Sequence, residues 1–147
     1  MEQILIRDMR EQDIPAVAQI ERTSFSTPWS EISFLNEIRK PHSAARVAAL
    51  NDKVVGYACI EFIEDEAHIL NLAVHPDYRK AGIAASLVET VIEESRLNAC
   101  AFLYLEVRAS NYIAKSLYEG FGFEVIGVRK RYYVSPEEDA IIMRLKV

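Results

Sequence analysis

Residues 72–84 read Leu72-Ala73-Val74-His75-Pro76-Asp77-Tyr78-Arg79-Lys80-Ala81-Gly82-Ile83-Ala84. The pattern predicts the end of a strand, a short loop with one glycine, and the start of a long helix. Such a loop points successive backbone N–H groups in one direction, and the helix dipole adds positive potential there. The stretch therefore predicts an anion-binding site suited to a pyrophosphate, with Arg79 adding charge at its rim.

The sequence motifs of two other kinds of phosphate-binding loop are absent. Neither G-x-x-x-x-G-K-[ST] nor a G-x-G-x-x-G that follows a strand occurs in the chain. Gly82 and Ala84 lack bulk, so that a ligand can approach the backbone closely. Taken alone, however, Gly82 is also compatible with an ordinary helix start that binds nothing.

The pattern outside this stretch predicts one domain over residues 1–147. Helices are predicted to open at Asp13, as a cap, and at Ser30, and to cover 82–98 and 111–121. Residues 24–29 and 129–136 are predicted loops. The predicted strands are 4–7, 45–50, 54–63, 67–74, 101–107, 123–128 and 140–145. This order indicates the α/β (α+β) class, with a mixed, mostly antiparallel central sheet of about seven strands flanked by about four helices.

Composition narrows the class of protein. The 147 residues include 17 basic and 22 acidic side chains, for a net charge of −5, which disfavours direct nucleic-acid binding. No apolar run reaches the roughly 20 residues that span a bilayer, and the amino terminus does not resemble a signal peptide. The two cysteines and three histidines are scattered, which disfavours a metal site. We therefore expect a cytoplasmic protein without metal, membrane or nucleic-acid partners.

The spacing Arg79-x-x-Gly82-x-Ala84 after a strand resembles the acetyl-CoA motif of the GNAT superfamily of N-acetyltransferases. Lys80 and Ala81 depart from that motif, since relatives often carry glycine or arginine and a long polar residue there. Within the superfamily the chain is similar to the bacterial enzymes that acetylate the N-terminal alanine of a ribosomal protein. The stretches that carry this similarity are Phe25-x-x-Pro28-Trp29-Ser30, Leu105-Glu106-Val107-Arg108-Ala109-Ser110-Asn111, Arg131-Tyr132-Tyr133 and Glu138-Asp139-Ala140-Ile141-Ile142-Met143, while Gly120-Phe121-Gly122-Phe123 fits the superfamily as a whole.

The resemblance implies that acetyl-CoA binds between the fourth and fifth strands, where these separate. The strand end Leu72, Ala73 and Val74 would contact the pantetheine and the acetyl carbonyl, chiefly through its backbone. Asn111 would add a hydrogen bond to the cofactor in addition to capping its helix. The pyrophosphate would be held by Arg79, Lys80, Ala81, Gly82, Ile83, Ala84 and Ala85.

The resemblance also implies two catalytic residues and a peptide groove. Glu106 would be the general base, directly or through water, and Tyr118 the acid that protonates the coenzyme A thiolate. Alternatively, Glu106 is a strand-end carboxylate or a partner of Arg108, and Tyr118 is a core residue. Trp29, Tyr132 and Tyr133 would form walls of the groove, or else a small satellite core.

The function implied is acetyl transfer to the N-terminal α-amine of a protein, with the alanine of a small-subunit ribosomal protein as the expected target. An α-amine has a pKa near 8, against about 10.4 for lysine, so it suits a single glutamate base better. Acetylation of a small amine or a lysine side chain is the second hypothesis. A non-catalytic acyl-CoA-binding module is the third, and the presence of both Glu106 and Tyr118 argues against it.

Overall fold

The computed structural model describes residues 3–79 and 81–147. Its strands are β1 (Ile4–Asp8), β2 (Ser43–Leu50), β3 (Lys53–Ile63), β4 (Glu66–Val74), β5 (Phe102–Arg108), β6 (Glu124–Val134) and β7 (Glu137–Lys146). Its α-helices are α1 (Ile14–Ser24), α2 (Glu31–Arg39), α3 (Ile83–Leu97) and α4 (Tyr112–Gly120). One seven-stranded sheet has the order β1-β2-β3-β4-β5-β7-β6. The predicted fold class is confirmed.

Helices cover both faces of the sheet. One core cluster joins α3 and α4 to one face, and its largest members include Ile83, Leu87 and Leu103. A second cluster joins α1 and α2 to the other face, through Val17, Ile20 and Phe34 among others. Within the described residues, none of the helices is long and apolar enough to cross a membrane.

Local signals placed all four helix starts within one residue, but one predicted cap is wrong. Ser30 caps α2, because its hydroxyl accepts a hydrogen bond from the Ser33 backbone N–H at 3.1 Å. Asp13 precedes α1 but does not cap it. Its carboxylate instead accepts two hydrogen bonds from Arg7 of β1, at 2.7 and 2.9 Å, and Arg7 holds the pKa of Asp13 below its usual value. A strong charge partner has thus taken the place of the capping contact.

The predicted loop at residues 129–136 is wrong over residues 129–134 and is confirmed only as the turn at 135–136. Strand β6 continues to Val134 and pairs with β7, with an irregular register between Arg129 and Tyr133 and a positive φ of 53° at Arg131. The Arg131 backbone N–H donates to Asp139 of β7 at 2.9 Å, which ties the irregular segment to its neighbour. The pattern does not predict this strand because its residues are largely polar and charged. Exposed edge strands often lack the alternation of apolar and polar residues that marks a strand.

A bulge in β4 determines which face each of its residues meets. Cys59 of β3 pairs with Asn71, whereas the next residue, Ile60, pairs with Ile69, so Leu70 is the extra residue. Side chains of a strand alternate between faces, and one extra residue reverses that alternation. Ile69 accordingly packs into the cluster under α3, while Asn71 contacts α1 on the opposite face.

Strands β4 and β5 are the parallel neighbours of the sheet, and they pair over three residues only. The paired positions are 66 with 102, 67 with 103 and 68 with 104. Beyond them the two strands separate, and each strand keeps its other neighbour, β3 or β7. The separation leaves one backbone edge of each strand without a partner strand.

Helix α3 approaches the sheet closely at Gly56 of β3. A Cβ added there would lie 3.2 Å from the Ala73 carbonyl oxygen, from Ile83 Cγ2 and from Leu87 Cδ1. These distances are shorter than ordinary carbon contacts, and all three neighbours belong to packed elements. Gly56 therefore sets how near α3 lies to the strands that form the site described below.

We expect Gly56→Ala to lower the free energy of unfolding by about 1–3 kcal/mol through overpacking. The matched control is Gly127→Ala in β6, where an added Cβ meets Ile142 Cδ1 at an ordinary 3.7 Å. That control should be neutral or slightly stabilising, because alanine restricts the unfolded chain. Urea unfolding of both variants checks this, and equal stability of the two would contradict the close approach of α3.

Candidate active site

A cleft of about 440 Å³ lies where β4 and β5 separate. Its walls come from both strands, from the segment that joins α1 to α2, and from α4 and β6. The lining residues are Glu21, Ser24, Phe25, Ser26, Thr27, Trp29, Ile69, Leu70, Asn71, Leu72, Leu105, Glu106, Val107, Arg108, Asn111, Ala114, Tyr118, Tyr133 and Pro136. Of the residues predicted for the site, this cleft brings together Trp29, Leu72, Glu106, Asn111, Tyr118 and Tyr133.

The backbone edge of β4 faces this cleft. The His75 N–H donates to the Val55 carbonyl of β3 at 2.8 Å, so residue 75 points toward β3. Successive residues of a strand present their polar groups to opposite sides, so Val74 and Leu72 present theirs toward β5. Both strand-end residues therefore offer hydrogen-bonding groups to a molecule lying between the strands, whereas Ala73 points its backbone to β3.

The loop before α3 has the geometry of an anion site. Gly82 adopts a positive φ of 79° immediately before the helix, and, adjoining backbone apart, no atom of the described residues lies within 4 Å of the position its Cβ would occupy. The first turn of α3 thus opens onto free space, with unpaired N–H groups at its N-terminus. Ile83 is buried beneath this turn, Ala84 and Ala85 are half-buried, and Ala81 is exposed.

The structure does not place either basic residue of the predicted pyrophosphate site, Lys80 or Arg79, at the start of α3. Lys80 lies outside the described residues. Arg79 turns its guanidinium toward the cleft rather than the helix start. Its Nε donates to the Val74 carbonyl at 3.2 Å, and a terminal nitrogen reaches the Ser24 hydroxyl at 3.4 Å. Arg79 thereby connects the end of β4 to the end of α1.

Glu106 is half-buried on β5 and faces the side of the sheet that carries α1. Its carboxylate lies 3.6 Å from Nε of Arg129 on β6. The expected alternative partner, Arg108, is instead engaged by Glu138 at 3.3 Å. Glu106 therefore keeps one exposed cationic neighbour and remains accessible from the cleft.

Tyr118 lines the cleft from the other face. It is buried in the cluster of α3 and α4 together with Leu105 and Val107, whose side chains alternate with that of Glu106 along β5. Its ring packs edge-on against Phe123, with 5.4 Å between centroids. Burial raises the pKa of Tyr118 to about 12, so the phenol holds its proton at neutral pH. The cleft thus has a carboxylate on one face of the sheet and a protonated phenol on the other.

Two of the three aromatic residues predicted for the groove line the cleft, and the third does not. Trp29 is half-buried, stacks obliquely on Phe34 at 5.2 Å and lines the cleft. Tyr133 also lines it, and burial, followed by the charge of Glu106, raises its pKa to about 12. Tyr132 does not line the cleft: its ring is 48% exposed and packs edge-on against Tyr133.

Arg108 is a site residue that the sequence reasoning missed. Its guanidinium donates to the Ser26 hydroxyl at 2.9 Å and to the Pro136 carbonyl at 3.0 Å, and it lies 4.3 Å above the Tyr133 ring. These contacts join the segment after α1 to the turn between β6 and β7. No local signal marks this role, since both partners are far away in the chain.

A buried polar network below Trp29 was also missed. Glu21 of α1 is 2% exposed and accepts hydrogen bonds from the Tyr57 hydroxyl and from the Trp29 backbone N–H, the latter at 3.0 Å. Asn71 Nδ2 donates to the same carboxylate at 3.3 Å. Burial, followed by the charge of Glu21, raises the pKa of Tyr57. The only hint in the sequence is a glutamate on the apolar side of a helix.

Asn111 has the expected capping role. Its side-chain oxygen accepts a hydrogen bond from the Ala114 N–H at 3.2 Å at the start of α4. Asn111 also lines the cleft. Within residues 3–79 and 81–147, no group of three or more His, Cys, Asp or Glu side chains is arranged to hold a metal ion.

Comparison with known proteins agrees with this geometry. The pattern of the acetyltransferase (GNAT) family matches residues 14–123. The chain is 37% identical over 144 residues to the ribosomal protein bS18-alanine N-acetyltransferase of Escherichia coli strain K12, covering 97% of each chain. It is 37% identical over 137 residues to the enzyme of that name from Salmonella typhimurium strain LT2, covering 92% of each.

The fold is also similar to that of a solved structure of such an enzyme. The crystal structure of the ribosomal-protein-S18-alanine N-acetyltransferase from Escherichia coli superposes with a TM-score of 0.91 at 36% identity. The match covers 99% of this chain and 94% of that one.

Proposed function

The chain belongs to the acetyltransferase (GNAT) family, and from that premise we propose that it acetylates the N-terminal α-amine of a protein with acetyl-CoA. The proposed target is the N-terminal alanine of ribosomal protein bS18, the substrate named for its relatives in Escherichia coli and Salmonella typhimurium. A cytoplasmic location is part of the proposal, because ribosomal proteins are made and assembled there.

One observation carries the proposal: the cleft between β4 and β5 passes through the sheet, with Glu106 at one face and Tyr118 at the other. Acetyl transfer needs a base near the incoming amine and an acid near the departing thiol. An acyl donor held between the strands would expose its carbonyl to both. A module that merely binds acyl-CoA has no need of this pair.

The residues of the cleft fit acetyl-CoA as co-substrate. The backbone groups of Leu72 and the N–H of Val74 would pair with the pantetheine amides, as a neighbouring strand would, while the Val74 carbonyl accepts from Arg79. The open turn at Gly82 and the first N–H groups of α3 would hold the pyrophosphate. Asn111 would hydrogen-bond the co-substrate from α4. Lys80, Ala81, Ile83, Ala84 and Ala85 would surround the pyrophosphate from the loop and from the first turn of α3. Ala73, which pairs with β3, and Arg79, which donates to Val74 and Ser24, would hold the end of β4 in place instead.

In the proposed reaction Glu106 accepts the proton that the amine loses as its nitrogen attacks the thioester carbonyl. The new C–N bond forms and the C–S bond breaks, and Tyr118 donates its proton to the thiolate that departs. A pKa of about 12 keeps Tyr118 protonated and ready to donate over the whole neutral range.

The peptide would enter on the face that carries α1, between Trp29 and Tyr133. Both rings offer flat apolar walls, and Arg108 links the segments on which they are held. A small first side chain would fit against these rings, whereas a bulky one would overlap them. Tyr132 would support Tyr133 from outside the cleft rather than touch the peptide.

Acetyl-CoA at about a hundred times its Kd should raise the Tm by about 5–10 °C, because it binds only the folded chain. Gly82→Val should abolish this shift, since its side chain would occupy the open space beside the first turn of α3. The control is Gly122→Val, which strains another positive-φ glycine away from the cleft. Differential scanning fluorimetry measures the Tm of each variant with and without acetyl-CoA. An undiminished shift in Gly82→Val would rule out this loop as the pyrophosphate site.

Glu106→Gln should lower kcat most at acidic pH, where the amine is largely protonated and the base has most to remove. Activity should recover in part as pH rises and free amine accumulates. The control is Glu137→Gln, the same change at an exposed carboxylate paired with Arg131. The measurement is the pH profile of thiol release, and a Glu106→Gln profile matching wild type would make Glu106 structural.

The target is tested with peptides that differ only at the first residue, incubated with acetyl-CoA and analysed by mass spectrometry. Peptides that begin with alanine should be acetylated ahead of those that begin with phenylalanine or lysine, and internal lysines should react little. Tyr133→Ala should raise KM for the peptide more than for acetyl-CoA. Preferred reaction of free polyamines or internal lysine would replace the proposal with the small-amine or lysine activity.

A further inference from the structure

One buried polar atom on the cleft wall lacks a hydrogen-bond partner. Asn71 is 8% exposed and lines the cleft, and its Oδ1 is the one buried side-chain oxygen or nitrogen in residues 3–79 and 81–147 without a bond. Buried polar groups in native proteins are nearly always satisfied. An acceptor without a partner on the wall of a cleft therefore indicates a ligand that has a hydrogen-bond donor at this position.

The orientation of the Asn71 amide is determined by its surroundings. A carboxylate only accepts hydrogen bonds, so the Glu21 carboxylate takes the Asn71 Nδ2 donor and leaves Oδ1 facing away from it. Glu21 itself is held by the Tyr57 hydroxyl and by the Trp29 backbone N–H. The network thus presents a carbonyl oxygen, and not an NH₂ group, to the cleft.

The bulge at Leu70 brings this oxygen to the face where the acceptor would enter. Asn71 lies on the α1 side of β4, and Glu106 lies on the same side of β5. The two residues therefore flank the gap between the strands on one face. A donor-bearing group at the gap would have a neutral acceptor on one side and a carboxylate on the other.

We propose that Asn71 Oδ1 accepts a hydrogen bond from the acceptor amine and holds it for attack. This inference rests on the proposed acetyl transfer and adds to it a residue that binds and orients the acceptor amine. A neutral primary amine has two N–H bonds and one lone pair. One N–H bonds to Asn71, the lone pair forms the C–N bond, and Glu106 takes the proton that the nitrogen then sheds.

The sharpest test reverses the orientation of the Asn71 amide through a substitution at its neighbour Glu21 that keeps the size of both side chains. In Glu21→Gln the side-chain oxygen must face the Trp29 N–H, which cannot reorient, so the new NH₂ group lies toward Asn71. That NH₂ would donate to Asn71 Oδ1 and turn the Asn71 NH₂ toward the cleft. Amine binding should then lose its acceptor and meet a donor instead.

The experiment measures KM for the amine and for acetyl-CoA in three variants. Asn71→Leu and Glu21→Gln should raise the KM of the amine by about threefold to tenfold, the range expected for one lost hydrogen bond. Glu37→Gln is the matched control, because it makes the same change at another buried carboxylate, which accepts from the Ser43 hydroxyl and does not line the cleft. That control and the KM for acetyl-CoA in all three variants should stay within twofold of wild type.

Two outcomes overturn the inference: an amine KM within twofold of wild type in Glu21→Gln, or an equal rise in KM for acetyl-CoA, which would indicate a distorted cleft. Should Asn71→Leu fail to fold, Glu21→Gln decides alone. The amines used are a peptide that begins with alanine and n-butylamine. If wild type acetylates only n-butylamine, the proposed protein target fails, while the Asn71 contact is still tested on that amine.

Discussion

The separation of β4 from β5 is the constraint on which the rest of this structure depends. The two strands pair over three residues and then diverge, which leaves backbone groups such as those of Leu72 and the N–H of Val74 facing a gap in the middle of a sheet. Unpaired backbone groups in a protein interior carry a large free-energy penalty unless another molecule satisfies them. The gap thus offers hydrogen-bonding groups to an extended molecule with amide groups, as the proposed binding of acetyl-CoA requires. The bulge at Leu70 accompanies the divergence and turns Asn71 to the opposite face from Ile69.

Charged side chains hold the irregular segments around that gap. Glu21 is buried and ties the backbone of Trp29 to α1, β3 and β4 through three donors. Arg108 ties the same segment, at Ser26, to the turn after β6. A buried charge is tolerated only where its partners are complete, so these contacts restrict the segments to few arrangements. Trp29 and Tyr133 are thereby presented by a fixed frame, although neither lies in the centre of a regular element.

Much of the fold was accessible from local patterns because the deciding interactions lie within a few residues of each other. Ser30 and Asn111 cap their helices through N–H groups three residues on, and the inward residues of α3 follow helical spacing. The two errors have the opposite cause. Asp13 was expected to cap α1, but it is drawn to Arg7 of β1, and residues 129–134 were expected to be a loop, but they pair with β7. In both cases a partner outside the local window decided the conformation.

The sequence alone determined the order of the elements, the fold class, and the resemblance that singled out Glu106, Tyr118 and the loop at Gly82. Periodicity, caps and short motifs carry that information because they depend on near neighbours. Only the tertiary structure decided that Glu106 pairs with Arg129 rather than Arg108, that Tyr132 lies outside the cleft, and that Arg108, Glu21 and Asn71 belong to the site. Those facts depend on register, on one bulge, and on residues that are distant in the chain but meet across the gap between β4 and β5.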